Sequence, residues 1–237
     1  MTLIEKTQSK RTRNLRLPPE KRVADIIAAA RKILSEKDYE AALISEIAEE
    51  AGIVEGTIYR YFENKRDLFI KVAEDWFEEI LSQNKSFAKV DGTLNQLKSV
   101  IWWVLSIIHK EPALTRFVLM ELRPHPDYTK TRVYELNKKF TEEVMAVFRE
   151  AMKSGELDDK YELTFVRDMV FGCIEHQTWS YLRHLGDYST DDLSEKIANI
   201  MYNGLLKNSP KNDNNIDNAI SRLETIVDEL KIHSHQV

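Results

Sequence analysis

The sequence predicts an all-α protein. Apolar residues recur every three or four positions in nearly every long segment, which is the period of an amphipathic helix. No segment combines strict apolar–polar alternation with the turn residues of a β-hairpin. Glycines and prolines such as Gly52, Pro112 and Gly155 stand where these helical segments begin or end. We therefore expect helices throughout, in a chain whose 237 residues suffice for a small head and one larger domain.

Two short helices separated by a tight turn are predicted near the N-terminus. Apolar residues at helical spacing over Ile44–Ala51 predict the first helix. Gly52 follows at once, where a helix end commonly requires a left-handed residue without a Cβ penalty. The second helix is predicted over Gly56–Phe62, where Ile58 and the final phenylalanine stand four apart and can pack inward. Its opposite side is left free.

The free side of this second helix carries groups that suit DNA, because hydroxyls and a guanidinium can bond phosphate oxygens or base edges. A third helix is predicted to begin after Asn64, whose side chain can cap it. Lys65 then lies in its first turn, where backbone amides and a cation converge on an anion. The sequence therefore predicts a DNA-binding helix-turn-helix, with contacts from Ser45, Glu55, Gly56, Thr57, Tyr59, Arg60, Tyr61 and Lys65.

The same segment resembles the signature of the TetR family of transcriptional regulators. The pattern I-A-x-x-A-G-[IV]-x-x-G-T-[IL]-Y-x-Y-F-x-[NS]-K-x-x-L runs from Ile47 to Leu68, and the match extends back through an apolar helix over Ile26–Leu34. The resemblance implies a three-helix DNA-binding domain, an all-helical effector-binding and dimerisation domain, and a homodimer on a palindromic double-stranded operator. We accordingly divide the chain into a basic flexible arm (1–19), a helix-turn-helix domain (20–66), an effector-binding and dimerisation domain (67–207), and a polar linker with an amphipathic helix (208–237).

Three residues depart from the usual pattern of the family. Val54 stands where a serine often begins the recognition helix, so a side-chain N-cap bond of typically ~1 kcal/mol is absent. Leu43 likewise replaces a threonine or serine cap of the preceding helix. Glu55 follows Val54, and a carboxylate there either accepts from a cytosine amino group or repels phosphate. These departures bear on the operator sequence rather than on DNA binding.

The formal net charge of -5 is unevenly distributed. Residues 1–22 carry seven basic side chains against two acidic ones, whereas residues 71–237 carry 21 basic and 27 acidic ones. The acidic excess therefore lies outside the predicted DNA-binding region and does not argue against it. The basic arm itself has two interpretations, a solvated polar terminus or a segment that reaches into the minor groove.

The remaining helices follow from the apolar spacing and the breakers. They are expected over Asn64–Ile80, Leu94–Ile108, Pro112–Leu122, Tyr128–Lys153, Leu163–Leu185 and Leu193–Leu206. The family resemblance assigns the last two to a four-helix dimer interface. After the linker, apolar residues at heptad spacing over Ile216–Leu230 predict a final helix. It either folds back on its own subunit or pairs with the dimer mate.

An effector domain of this type needs an apolar cavity with a few placed polar groups. The segments F-V-L-M-E-L-R (Phe117–Arg123) and F-G-C-I-E-H-Q-T-W (Phe171–Trp179) resemble FadR-type fatty-acid regulators of the family. That resemblance implies an acyl-CoA effector whose phosphates could pair with Arg116, Arg123, Arg132 or Arg183. Drug-like or other lipophilic effectors, as in regulators of efflux, stay open. The expected wall residues are Trp76, Trp102, Trp103, Leu105, Phe117, Met120, Phe171 and Trp179. Core packing is the better explanation for any one of them, and only the set as a whole indicates a cavity.

Other classes of protein are disfavoured by the sequence. The longest apolar run, Val100–Ile108, is too short to span a bilayer, residues 1–22 lack a secretory h-region, and the single cysteine suits a reducing cytoplasm. Seven glycines form no nucleotide-binding loop, and neither histidine pair has a third metal ligand. We therefore expect a soluble cytoplasmic protein without catalysis, metal, cofactor or membrane contact. A helical interaction protein that has lost DNA binding is the alternative from a different class, supported only by Val54 and Glu55.

Overall fold

The computed structural model describes residues 18–83 and 86–207 together with the single residue 223, and all regular elements within these residues are helical. This confirms the predicted fold class. One isolated antiparallel bridge joins Leu157 to Leu206. The predicted basic arm lies outside the described residues except for residues 18 and 19, and the predicted linker and C-terminal amphipathic helix lie outside them except for Leu223. The α-helices are α1 Pro19–Glu36, α2 Ile44–Glu50, α3 Glu55–Ile58, α4 Lys65–Ser82, α5 Thr93–Lys110, α6 Pro112–Arg116, α7 Arg132–Lys153, α8 Leu163–Leu182 and α9 Thr190–Leu205.

Local chemistry fixes the helix boundaries close to the predicted positions. The Asn64 side chain accepts a hydrogen bond from the backbone N–H of Asp67 at 2.9 Å and so caps α4. Gly52, just beyond α2, has a φ of +64°, and Gly155, just beyond α7, has a φ of +81°. Pro112 occupies the first turn of α6, where its missing N–H costs nothing. These boundaries follow from side chains within a few residues of them.

The chain divides into two compact units. Of the described residues, the first unit holds 18–83 together with Glu111–Asn137, and the second holds 86–110 and 138–207. The first unit therefore contains α6 in addition to the first four helices. The sequence places the boundary between the DNA-binding and effector-binding domains at residues 66 and 67. The compact units are divided at other positions, so this functional boundary remains a prediction.

The core of the first unit lies between α1 and α4, with α2 and α6 against α1. Ile26 and Ala30 of α1 and Phe69 of α4 are fully buried there. The Arg31 guanidinium donates to Glu79 at 2.8 Å and to Glu111 at 2.5 Å. Because these carboxylates belong to α4 and to the residue before α6, one arginine of α1 joins three elements of this unit.

The second unit is built mainly on the packing of α5 against α9, with α8 also against α9. A row of aromatic rings crosses it. The Trp103 ring centroid lies 5.1 Å from that of Phe140, which lies 6.4 Å from that of Phe171. On α8 the buried residues fall on one side and leave the other side of the helix exposed: Val166, Val170, Ile174, Thr178 and Leu182.

The Glu156 carboxylate forms hydrogen bonds with two helices of the second unit. Glu156, in the connection after α7, accepts from the Thr93 hydroxyl of α5 at 2.5 Å and from the Tyr202 hydroxyl of α9 at 2.7 Å. The hydrogen bond from Thr93, followed by that from Tyr202, lowers the pKa of this carboxyl below its usual value. Its stabilising contribution is therefore present above the pKa of the unfolded chain and is lost as the pH falls through the lower folded-state pKa.

We expect Glu156→Ala to lower the free energy of unfolding by about 1–2 kcal/mol at neutral pH, after discounting the two hydrogen bonds for solvent exposure. Urea denaturation measures this loss, and the difference from the wild type should shrink as the pH is lowered below about 4. Glu150→Ala, which removes an exposed carboxylate at the end of α7, is the control and should change stability little. Equal losses in both variants at neutral pH would contradict the role of Glu156.

Candidate nucleic-acid interface and effector region

The segment α2–turn–α3 has the geometry of a helix-turn-helix. The N–H of Ile53 reaches back to the carbonyl of Ala48 at 2.9 Å, which closes the turn around Gly52. Ile47 of α2 and Ile58 of α3 are buried at 0% and 1% exposure, as the predicted inward packing requires. Phe62 joins them in the core. These contacts hold α3 so that its remaining side chains face outward.

The outward side carries most of the predicted DNA contacts in one continuous stretch. Glu55, Gly56, Tyr59 and Arg60 are exposed, while Thr57 and Tyr61 are half-buried. The Arg60 guanidinium lies 6.0 Å from the Tyr61 ring, within reach of a cation–π contact. Ser45 is exposed as well, at the second position of α2. The stretch therefore offers hydroxyl, amide and guanidinium donors to a bound polyanion.

The second helix of the helix-turn-helix is shorter than the sequence predicts. Regular α-helix covers only Glu55–Ile58, whereas the prediction extended from Gly56 to Phe62. Beyond Ile58 the backbone tightens, and the N–H of Tyr61 bonds the carbonyl of Ile58 three residues back at 2.9 Å. This turn buries Ile58 and Phe62 as well as a continued helix would. Their spacing of four therefore led to an overestimate of the helix length.

Lys65 lies at the start of α4, as predicted, but two contacts fix it that the sequence did not indicate. Its ammonium donates to the backbone carbonyl of Glu40 at 3.1 Å and lies 4.5 Å from the centroid of the Tyr39 ring. Burial lowers the pKa of Lys65. Because Glu40 lies 25 residues away along the chain and Tyr39 precedes it, no local spacing could have revealed these partners.

The start of α3 lacks a side-chain cap. Val54 has the extended backbone of an N-cap residue, with φ −93° and ψ 149°, and its side chain is 74% exposed. A serine at this position can take the same backbone conformation and accept from an N–H of the first turn.

We therefore expect Val54→Ser to raise the free energy of unfolding by about 1 kcal/mol, measured by urea denaturation. Val54→Ala is the matched control, because it removes the exposed side chain without adding an acceptor. A serine variant no more stable than the alanine variant would show that the missing cap is compensated elsewhere.

The predicted effector-wall residues are divided between the two compact units. Trp76 and Phe117 are buried and Met120 is half-buried in the first unit. In the second unit Trp103 and Leu105 are buried and Phe171 is half-buried. The row of rings around Trp103 also includes Phe140 and Phe87, which the sequence reasoning missed.

Two of the predicted wall residues are exposed. Trp102 is 45% exposed and its indole N–H donates to Asp191 at 2.6 Å. Trp179 is 43% exposed, and the Arg183 guanidinium lies 5.6 Å from its ring. Both rings therefore contact charged side chains of the second unit and lie outside its buried core.

The segment Phe117–Leu122, predicted as the end of a helix, is a π-helix that continues α6. The N–H of Arg123 bonds the carbonyl of Val118 five residues back at 2.9 Å. Such wide turns are rare and occur frequently at functional sites. Of the arginines proposed for phosphate binding, Arg116 is paired with Asp38, and Arg132 is paired with Glu78 at 2.5 Å.

Three large apolar side chains lie among polar ones on the exposed side of α8. Phe165 and Met169 are 53% and 49% exposed, and Trp179 follows at heptad spacing beyond the exposed Gly172 and His176. These three residues form an interrupted apolar stripe. Ile200 of α9 is 68% exposed. Exposed apolar side chains on successive turns of a helix are available for contact with another apolar surface.

Neither a metal site nor a membrane span is present among the described residues. Over residues 18–83 and 86–207, no three His, Cys, Asp or Glu side chains are grouped so that they could hold a metal ion. None of the helices in the same ranges is long and apolar enough to cross a membrane. Burial raises the pKa of the Cys173 thiol, which disfavours the reactive thiolate.

Two family models match the chain. One, described as bacterial regulatory proteins of the tetR family, matches residues 26–72, and the other, described as a tetracyclin repressor-like C-terminal domain, matches residues 91–205. The first match contains the helix-turn-helix, and the second begins before α5 and ends with α9. Together they account for most of the described residues.

Individual relatives agree with these matches. The fatty acid metabolism regulator protein of Bacillus subtilis is 25% identical over 181 residues, which cover 76% of this chain and 93% of that protein. The HTH-type transcriptional repressor KstR2 of Rhodococcus jostii is 21% identical over 199 residues, 81% of this chain and 93% of that protein. The crystal structure of the transcriptional regulator FadR from Bacillus subtilis in complex with stearoyl-CoA superposes with a TM-score of 0.66 at 24% identity, covering 77% of this chain and 98% of that one.

Proposed function

Because the chain belongs to the TetR family of bacterial regulatory proteins, which are DNA-binding transcriptional regulators rather than enzymes, we propose that it is a homodimeric repressor. A lipophilic effector, with acyl-CoA as the first candidate, releases it from a palindromic operator. The observation that carries the proposal is the exposed stretch of α3 and the following turn, fixed from behind by buried Ile47 and Ile58. A DNA-binding protein acts in the compartment that holds the DNA, so the proposal places it in the cytoplasm. The proposal includes no cofactor.

DNA binding uses the donors on and after α3. Thr57, Tyr59 and Arg60 contact base edges or phosphates in the major groove, while Ser45 and Lys65 contact phosphates beside it. Gly56 and Tyr61 complete the contact surface. Glu55 is exposed at the first turn of α3, where its carboxylate either accepts from a cytosine amino group or repels phosphate.

Dimerisation uses the exposed apolar stripe of α8, together with Ile200 of α9. A two-fold axis places the two recognition helices in successive major grooves, about 34–36 Å apart. Only a dimer then contacts both halves of a palindromic operator, so dimerisation and operator affinity are linked.

The effector proposal draws support from the relatives rather than from a bound molecule. A relative covering most of this chain is a fatty acid metabolism regulator, and the structure similar in fold was solved in complex with stearoyl-CoA. The acyl chain needs an apolar enclosure, and each unit offers candidates of its own. In the first unit these are the buried Trp76 and Phe117 with the half-buried Met120, and in the second the buried Trp103 and Leu105 with the half-buried Phe171. The name of a second relative, a repressor, supports repression over activation.

Release requires that the effector bind the DNA-incompetent form better than the competent one. The first unit offers a route for such a change, since Arg31 joins α1 of the DNA-binding region to α4 and to the residue before α6. A shift of α6 then alters α1 and with it the recognition helix. A coupling of about 1–3 kcal/mol changes operator affinity from several-fold to about a hundredfold.

Native mass spectrometry of the purified full chain tests the assembly and the ligand together. We expect a species of twice the 27.7 kDa chain mass that carries added mass matching acyl-CoA. A monomer at all concentrations would contradict the dimer. A bound ligand without the CoA moiety would replace acyl-CoA with another lipophilic effector.

A further inference from the structure

Two contacts within the protein itself hold the Lys65 ammonium in place. It donates to the Glu40 carbonyl at 3.1 Å and lies 4.5 Å from the Tyr39 ring centroid. A lysine ammonium has three donors, and the Glu40 carbonyl accepts from one of them. The face of the ring attracts the cation through its quadrupole. Donors therefore remain for a phosphate oxygen while the side chain is already restricted.

Tyr39 is itself fixed on its other sides. Its ring makes an edge contact with Phe69 of α4 at 5.4 Å between centroids and a tilted contact with Phe117 at 4.9 Å. The preceding residue, Asp38, forms an ion pair with Arg116 of α6. The loop between α1 and α2 is thus attached to α4 and to the end of α6 within the first unit.

Restricting a lysine in advance favours its binding to an anion. A free lysine loses rotamer freedom when it binds a phosphate, whereas a lysine held by the ring and the carbonyl has already lost it. Partial burial also deprives the ammonium of some water, and a phosphate at the same place would replace that hydration with a direct charge-assisted bond.

We propose that Tyr39 is a positioning residue for DNA binding, whose ring holds the Lys65 ammonium toward a backbone phosphate. The inference rests on the proposed contact between Lys65 and DNA. It adds a residue outside the helix-turn-helix that touches no base or phosphate. Tyr39 also packs on Phe117. The same ring therefore contacts both the π-helical segment and the lysine proposed to bind DNA.

The test measures the affinity of the full chain for a duplex selected by the wild type from a randomised library, over a series of salt concentrations. Tyr39→Leu is expected to weaken binding about tenfold and to lower the slope of log Kd against log salt toward that of Lys65→Met. Tyr39→Phe keeps the ring and should bind within about twofold of the wild type. Combining Tyr39→Leu with Lys65→Met should weaken binding no further than Lys65→Met alone.

Phenylalanines with increasing ring fluorination at position 39 provide a second arm should Tyr39→Leu not fold. They keep the packing on Phe69 and Phe117 but weaken the negative face of the ring, so affinity should fall in steps. The inference would be overturned if Tyr39→Leu left the salt slope unchanged, or if affinity stayed constant across the fluorinated series. It would also be overturned if the double variant lost more affinity than Lys65→Met alone. If Lys65→Met binds the duplex as tightly as the wild type does, the inference is also overturned. The proposal that the protein is a DNA-binding regulator would then still stand. If the wild type selects no sequence at all, the proposed function fails instead.

Discussion

Replacing both Tyr59 and Arg60 with alanine is expected to weaken operator binding at least about a hundredfold, because a good base contact is worth about 1–3 kcal/mol and a dimer makes each contact twice. Both side chains are exposed at the end of α3. Their removal therefore leaves the buried Ile58 and Phe62 in place, and the melting temperature should change little.

Fluorescence anisotropy with a labelled operator duplex measures this loss, and a salt series divides it. Each phosphate contact contributes about one to the salt slope, so the loss of one phosphate-binding side chain from both protomers should lower the slope by about two. Lys139→Ala, which removes an exposed cation of α7, controls for a general change in charge. A correctly folded double variant that binds within about threefold of the wild type would show that α3 is not the surface that binds DNA.

Introducing two carboxylates on α8, Phe165→Glu and Met169→Glu, is expected to convert the dimer into monomers and to abolish tight operator binding. Both side chains belong to the exposed apolar stripe. An unpaired carboxylate is costly to bury in an apolar interface. Because the interface is two-fold symmetric, it would contain each substitution twice, once from each protomer. A monomer then contacts one half-site only, so operator affinity should also fall about a hundredfold or more.

Sedimentation velocity measures the mass, and anisotropy measures the affinity of the same samples. Lys139→Glu places a carboxylate on the exposed side of α7 and should leave the dimer intact. A double variant that still sediments as a dimer would assign the interface to another surface. A monomer with unchanged operator affinity would instead break the proposed link between dimerisation and binding.

The helices were predictable because their ends depend on neighbouring residues. Gly52 and Gly155 adopt left-handed φ angles, and Asn64 caps α4 through the N–H of Asp67. The length of α3 was not predictable from spacing, since Ile58 and Phe62 are buried in the same way by a helix or by the tight turn that is present. Capping chemistry thus carries more information here than periodicity does.

Contacts between distant parts of the chain were beyond local reasoning. Tyr39 belongs to the loop between α1 and α2 and Lys65 to the start of α4, and only the packed first unit brings them together. The exposure of Trp102 is a similar case, because a helix that is apolar on nearly every side does not reveal which side lacks a neighbour. The sequence therefore located the candidate DNA-binding surface but did not indicate how Lys65 is fixed.

The central claim is that a lipophilic effector releases this regulator from DNA. The most direct measurement is a titration of stearoyl-CoA into the complex of the full chain with its selected operator duplex, followed by anisotropy. We expect the operator affinity to fall about tenfold to a hundredfold, with free CoA and a detergent of equal chain length causing no comparable loss. An operator affinity that stearoyl-CoA leaves unchanged, in a protein that demonstrably binds it, would contradict the account.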